Sequence, residues 1–136
     1  MSSKMIFINL PVRDLARSVR FYRALGWRVD VAFTDENAAC IVVEDNICLM
    51  LLSRAFFPTF SKRPLADTIT NVAAFYALSL SSACAVDELV AAALAAGGHE
   101  ECDPDKRAQE AEVGMYGRSF RDPDGHQWEP FWMARG

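Results

Sequence analysis

Apolar and polar side chains alternate along the N-terminal part of the chain, and the period then lengthens. In residues 5–12 every second residue is aliphatic, which predicts a strand with two different faces. After Asp14, a favourable helix N-cap, apolar residues recur every three or four positions until Gly26, a typical helix end. The residues of this apolar stripe are Leu15, Val19, Tyr22 and Leu25.

Three further strands are predicted in the first half, at residues 27–31, 38–43 and 47–52. The last two should form a hairpin across Asp45-Asn46, a pair suited to a tight turn. The next stretch, 53–71, contains turn formers, two prolines and three phenylalanines. We interpret it as a loop with a short helical turn, and as a candidate flap over a cavity.

The same order of elements is predicted again in the second half. Residues 74–80 predict a strand, 86–96 an alanine-rich helix that ends at two glycines, and 99–102 a short strand. Residues 103–112 are highly charged and predict a mobile loop. Residues 113–121 and 126–133 predict a hairpin across the sequence Asp-Pro-Asp-Gly, in which proline and glycine favour a turn.

A strand–helix–strand–strand–strand order therefore occurs twice. It predicts an α+β fold of two βαβββ modules, whose curved mixed sheets each carry a helix on one face and cup a cavity with the other. We expect a single domain over 1–136, with the first module at about 1–53, a linker or lid at about 54–72 and the second module at about 73–136. Concave, mostly apolar cavities are typical small-molecule sites.

Composition excludes several classes of protein. The 136 residues carry a net charge of −4 and no run of Lys or Arg, which argues against a nucleic-acid partner. No apolar run approaches the roughly 20 residues of a membrane helix, and the N-terminus lacks a signal-peptide pattern. Cys40, Cys48, Cys84 and Cys102 show no metal-site spacing. We interpret them as reduced, buried thiols of a cytoplasmic protein, with a Cys40–Cys48 disulfide as the less favoured alternative.

Sequence motifs for nucleophilic or nucleotide chemistry are absent: there is no G-x-S-x-G, P-loop or G-x-G-x-x-G. The two histidines are not spaced as a chelating pair. His99 is predicted to be exposed and His126 to be a structural hydrogen-bonding group beside its turn. Tyr116 and Arg118 are expected to pack against a helix or a partner subunit.

Two stretches carry a family resemblance. LPVRDLARSVRFYRALGW (10–27) resembles the first strand–helix unit of the vicinal oxygen chelate superfamily, and RSFRDPDGHQWE (118–129) resembles its last hairpin. That superfamily includes glyoxalase I, extradiol dioxygenases, fosfomycin-resistance transferases and bleomycin-resistance proteins. The likeness covers nearly the whole chain and implies paired βαβββ modules, but no particular reaction, since one fold hosts many chemistries.

Enzymes of this superfamily usually hold a divalent metal with residues from both modules. The resemblance places the four ligand positions on Phe7, on or beside Met50, on Phe75 and on Glu129. Only Glu129 offers a donor for a hard or borderline cation, because phenylalanine has no donor atom and thioether sulfur prefers soft Cu(I). We therefore expect no cofactor and no tightly bound zinc, nickel, iron or manganese, as in metal-free bleomycin-sequestering proteins.

Glu129 is the candidate catalytic residue. If it faces the cavity, as the resemblance implies, it is a lone carboxylate among Phe7, Phe75 and Met50. Desolvation would then raise the pKa of Glu129 and suit it to act as a general base or as a hydrogen-bond partner of a ligand. The equal alternative is a vestigial carboxylate that bonds a neighbour or water.

The remaining candidates are ligand contacts. Phe7 and Phe75 either form aromatic walls or fill the space of the missing metal. By strand alternation Asn9, Ser79 and Ser119 face the cavity, where they either orient a polar ligand or bond the local backbone. The full set of candidate contacts is Phe7, Asn9, Met50, Phe56, Phe57, Phe75, Ser79 and Ser119, with Phe60 as a further residue of the aromatic lid.

Three functions stay open at this point. The first is metal-independent binding of a flat or amphipathic small molecule, for sequestration or for catalysis. The second is a metal-dependent lyase, resembling lactoylglutathione lyase, or an extradiol dioxygenase. The third is a non-catalytic interaction domain whose cavity is filled by its own side chains. Exposed sheet edges need cover, and the superfamily commonly pairs its modules, so a homodimer with no membrane partner is predicted.

Overall fold

The computed structural model describes residues 4–134 and divides into two compact units, with the division between Asp67 and Thr68. Each unit has one mixed sheet and at least one helix, which confirms the predicted α+β class. The division lies inside the predicted linker of residues 54–72. In the part of the chain described, no helix is long and apolar enough to cross a membrane.

The first unit has a βαβββ order, as predicted. Its elements are β1 (Ile6–Val12), α1 (Leu15–Ala24), β2 (Arg28–Asp30), β3 (Ala38–Glu44) and β4 (Ile47–Ser53). The sheet order is β1-β4-β3-β2, with β1 parallel to β4 and the other pairs antiparallel. The Asp14 side chain caps α1 by accepting from the backbone N–H of Arg17 at 3.1 Å, and Gly26 ends the turn beyond it at φ +96°.

The core of the first unit lies between α1 and the sheet. Phe21 and Tyr22 of α1 are fully buried, and Trp27 stacks on the Tyr22 ring at 5.8 Å between centroids. Short 3₁₀ turns occur at Val31–Phe33 and Phe57–Thr59. The second of these is the short helical turn predicted within residues 53–71.

The second unit repeats this order with two additions, a second helix and a fifth strand. Its elements are β5 (Phe75–Ser79), α2 (Ala83–Ala95), β6 (His99–Glu101), α3 (Pro104–Glu112), β7 (Met115–Gly117), β8 (Ser119–Arg121) and β9 (Gln127–Met133). The sheet order is β5-β9-β8-β6, and β7 also pairs with β9. Strand β9 is therefore central, parallel to β5 and antiparallel to β7 and β8.

One face of this second sheet packs against α2. Trp128 stacks on Phe120 at 6.5 Å between ring centroids, and both are buried, as are Val86 and Val90 of α2. The helix begins three residues earlier than predicted because the Ser82 hydroxyl caps it, accepting from the Ala85 N–H at 3.0 Å. The opposite face of the sheet is the one that carries the candidate site.

Three expectations for the second half are wrong. Residues 104–112 form α3 instead of a mobile loop. The predicted strand over 113–121 is two short strands, because Arg118 lies opposite Pro130, which accepts its N–H at 3.1 Å but has no N–H to return. Cys84 and Cys102 are exposed, whereas Cys40 and Cys48 are buried free thiols as predicted.

Burial also governs the chemistry of the Cys40 thiol. Burial first, and the nearby Cys48 thiol second, raise the pKa of Cys40 to about 11. A buried thiol that stays protonated is a weak nucleophile and is consistent with an inert structural role.

Candidate functional site

In the first unit, the predicted site residues Phe7, Asn9 and Met50 share one face of the sheet. The β1–β4 register pairs Asn9 with Met50, and Phe7 lies two residues before Asn9 on the same side. Phe7 is 50% exposed and Asn9 is exposed. The Asn9 side-chain amide donates to the backbone carbonyl of Phe7 at 3.1 Å, which is the local bond given as the alternative to a ligand contact.

The predicted aromatic lid lies just after β4. Phe56 and Phe60 form an edge-to-face pair with centroids 5.3 Å apart, and Phe57 begins the 3₁₀ turn between them. Phe56 and Phe57 are half-buried, while Phe60 is exposed. These residues belong to the first unit.

In the second unit, Phe75, Ser79 and Glu129 lie on one face of the sheet, opposite the face that packs on α2. The parallel register pairs Ala77 with Glu129, which places Phe75 and Ser79 on the same side as the carboxylate. Phe75 is 53% exposed and Ser79 is exposed. Ser119 of β8 is buried beside Glu129 on this face.

Helix α3 brings two cations onto this face, and sequence reasoning missed both. Lys106 Nζ donates to Glu129 Oε1 at 2.5 Å. Arg107 Nη2 lies 3.4 Å from the same oxygen and donates to the Ser119 hydroxyl at 2.8 Å. Glu129 is therefore not the lone carboxylate that was expected.

The backbone of α3 is positioned by its first turn and by a glycine on the sheet. The Asp103 carboxylate accepts from the backbone N–H of Lys106 at 3.2 Å, and Pro104 occupies the first helical position. A Cβ at Gly117 would lie 2.9 Å from Arg107 Nη1 and 3.2 Å from Glu110 Oε1. Glycine at 117 thus lets the polar side of α3 approach the sheet closely.

The pKa of Glu129 moves in the direction opposite to the one predicted. Burial raises it, but hydrogen bonds from Lys106, Ser119 and Gln127 lower it, and their sum holds the pKa below its ordinary value. Gln127 Nε2 donates to Glu129 Oε2 at 2.9 Å, so both carboxylate oxygens accept hydrogen bonds. The predicted direction was wrong because Lys106 and Arg107, which contact the carboxylate, lie 23 and 22 residues away from it along the chain.

A pocket of about 370 Å³ lies between α3 and this face of the sheet. Its walls are mostly aromatic, aliphatic and thioether side chains, with charged groups from α3 and Glu129 as the polar part. The lining residues are Phe75, Ala77, Lys106, Arg107, Glu110, Met115, Gly117, Glu129, Pro130, Phe131 and Met133. Lys106 Nζ lies 4.8 Å from the centroid of the Phe75 ring, within cation–π range.

A second polar cluster fixes the far side of the same unit. Arg118 donates to Asp87 of α2 at 2.9 Å and, through two nitrogens, to Glu100 of β6 at 2.8 Å each. The Tyr116 hydroxyl donates to Asp87 at 2.6 Å. These bonds lower the pKa of both Asp87 and Glu100. Tyr116 and Arg118 thus contact helix α2, as one of the two predicted alternatives stated.

The two histidines lie apart from the pocket lining. His99 is exposed, as predicted. His126 is buried, and its backbone N–H donates to Asp122 Oδ1 at 2.9 Å within the Asp-Pro-Asp-Gly turn.

The side chains at the positions that the resemblance assigns to metal ligands do not fit a transition metal. Phe7 and Phe75 have no donor atom, and the Met50 thioether is a soft donor. Glu129, the remaining position, already accepts from Lys106, Arg107 and Gln127. Within residues 4–134 there is no group of three or more His, Cys, Asp or Glu side chains arranged to hold a metal ion.

Comparison with known families gives one match. A family model described as bleomycin resistance protein-like N-terminal matches residues 4–44, which contain β1, α1, β2 and β3. No curated protein matches the sequence.

Several solved structures have the same fold. A hypothetical protein of S. aureus, SA1046, is 26% identical with a TM-score of 0.74, covering 97% of this chain and 94% of that one. A glyoxalase/bleomycin resistance protein/dioxygenase family enzyme of Burkholderia phytofirmans has a TM-score of 0.76 at 17% identity, covering 97% and 100%. A glyoxalase-related enzyme of Fulvimarina pelagi has a TM-score of 0.73 at 20% identity, covering 96% and 88%. The chain therefore has the fold of these glyoxalase/bleomycin-resistance-related structures, and its residues 4–44 match a bleomycin-resistance-like family model.

Proposed function

We propose that this protein binds a small organic molecule in the pocket between α3 and the second sheet, without a metal. The observation that carries the proposal is that the carboxylate oxygens of Glu129 already accept hydrogen bonds from neighbouring side chains. Glu129 is the one family metal position with a suitable donor, and its oxygens are taken by Lys106, Arg107 and Gln127. A ligand in this pocket would be held by shape and desolvation instead of by coordination.

The size and lining of the pocket support a small, flat or amphipathic ligand. Its volume of about 370 Å³ lies near the lower end of the range of roughly 300–1,000 Å³ typical of ligand sites. Phe75 and Phe131 offer aromatic surface, while Met115 and Met133 offer flexible side chains that adapt to irregular shapes. Apolar walls with few polar groups are the usual composition of such sites.

The electrostatics favour binding over proton abstraction by Glu129. An efficient general base has a pKa near the working pH, whereas the pKa of Glu129 is held below its ordinary value. The carboxylate is therefore a weak base that positions Lys106 and Arg107 on the pocket wall. Sequestration of an apolar compound is the use that requires no further group.

A ligand titration of chelator-treated protein tests this proposal. We expect a diverse library of flat, apolar compounds to contain at least one that binds saturably by isothermal titration calorimetry. The Phe131→Ala substitution should lower the affinity for that compound about tenfold, because the apolar contact with one aromatic wall of the pocket is lost.

Phe33→Ala is the matched control for this titration. Phe33 is an exposed phenylalanine of the first unit, so its loss should leave the affinity unchanged. Failure of every compound to bind saturably, or equal affinities of wild type and Phe131→Ala, would contradict the proposal.

A further inference from the structure

The polar groups of the pocket differ in how much bonding capacity they have left. Glu129 has a side chain only 10% exposed and accepts from Lys106, Arg107 and Gln127. Glu110 is 14% exposed and lies 3.0 Å from Arg107 Nη1, an ion pair. Both carboxylates are thus buried and already matched with cations, so neither is available to a ligand without breaking an existing contact.

The Lys106 ammonium of the pocket, in contrast, has hydrogen-bonding capacity left. The Lys106 ammonium has three N–H groups, and among residues 4–134 its hydrogen-bond partner is Glu129. Its side chain is 34% exposed, the most accessible of the charged groups that contact Glu129. In the described part of the chain Arg107 Nε, Arg107 Nη1 and Glu110 Oε1 are all buried without a hydrogen bond, so these inaccessible atoms favour neither donors nor acceptors in a ligand. The accessible unused capacity is that of the Lys106 ammonium, and it is for accepting groups of a ligand.

We propose that the ligand of this pocket has a flat apolar body and a single anionic head group, such as a carboxylate, that binds Lys106. This inference rests on the proposed function and specifies the class of ligand. The Phe75 ring lies 4.8 Å from Lys106 Nζ, so an aromatic body can contact Phe75 while its carboxylate accepts from the ammonium.

A cationic ligand fits this arrangement poorly. It would approach Lys106 and Arg107, and it could reach Glu129 only by displacing one of them from the carboxylate. A neutral ligand would satisfy the apolar walls but would gain less from the ammonium, because hydrogen bonds between two charged groups are the stronger class.

Three naphthalene derivatives that differ only in the head group test the proposal: the carboxylate, the carboxamide and the methylammonium. The carboxylate should bind at least about tenfold more tightly than the other two at low salt. Lys106→Met, which keeps the apolar stem, should remove most of that preference and leave carboxamide binding within about threefold of wild type. Lys4→Met, at an exposed lysine before β1, is the control and should change nothing.

In Lys106→Met the Glu129 carboxylate loses its cation and could itself repel an anionic ligand. A double variant separates this repulsion from the loss of the ammonium. In Lys106→Met/Glu129→Gln both charges of the pair are removed, and the carboxylate should still have lost its advantage. Retained preference in this double variant, or equal or tighter binding of the carboxamide or the ammonium by wild type, overturns the anionic ligand class while leaving small-molecule binding intact. Absence of binding by all three compounds, and by the diverse library, overturns the proposed function itself.

Discussion

Gly125→Ala is expected to lower the free energy of unfolding by about 3 kcal/mol. Gly125 has φ +88°, a region that disfavours residues with a Cβ by roughly 1–2 kcal/mol. A Cβ there would also overlap the backbone carbonyl of Thr68, and overpacking costs about 1–3 kcal/mol. Thr68 cannot move away easily, because its hydroxyl donates to the Asp124 carbonyl of the same turn.

Gly97→Ala is the matched control for this stability measurement. Gly97 lies in the same unit at φ +105°, but a Cβ there would meet no atom within 4 Å. Only the backbone strain remains, so the free energy of unfolding measured in urea should fall by about 1 kcal/mol. Equal losses of unfolding free energy for the two variants would contradict the close contact between the Thr68 backbone and Gly125.

Glu129→Leu is expected to lower the free energy of unfolding by about 2 kcal/mol. Removing one partner of a buried ion pair costs roughly 3–5 kcal/mol, and the partial exposure of Lys106 reduces this figure. Lys106 and Arg107 would face leucine in place of the carboxylate that neutralises them. Glu36→Leu, at an exposed glutamate of the first unit, should change stability by less than about 0.5 kcal/mol.

The same carboxylate predicts a pH dependence with a definite sign. Since the pKa of Glu129 is lower in the folded protein, its contribution is fully present above the ordinary value of 4.5 and is lost as the pH falls through the folded pKa. The stability difference between wild type and Glu129→Gln should therefore shrink below pH 4.5. A difference that stays constant or grows on acidification would show that the ion pairs do not form in solution.

The repeated βαβββ pattern could be predicted because each of its elements has a local signal. The alternation in residues 5–12 and the three-to-four-residue period after Asp14 reflect burial of one face, and burial is what forms β1 and α1. Pro130 also carried a signal, since a proline in a central strand removes a ladder hydrogen bond. The break at Arg118 is the consequence of that missing donor.

Helix α3 could not be predicted from periodicity because none of its residues is buried and it has no apolar stripe. Its local signal was the pair Asp103-Pro104, an N-cap followed by proline at the first helical position. Its place on the sheet depends on contacts of Lys106 and Arg107 with Glu129, across more than 20 residues of sequence. The sequence therefore predicted which side chains share a face with Glu129, but it assigned the pKa of Glu129 the wrong direction.

The most direct test of the central claim combines elemental analysis with ligand binding. Protein purified without chelator is analysed for zinc, nickel, iron, manganese and copper, and its affinity for a ligand found by titration is measured before and after chelation and after each metal is added back. We predict less than stoichiometric metal and one affinity throughout, because shape and the Lys106–Glu129 wall hold the ligand. A stoichiometric metal whose removal abolishes binding and whose return restores it would contradict the account.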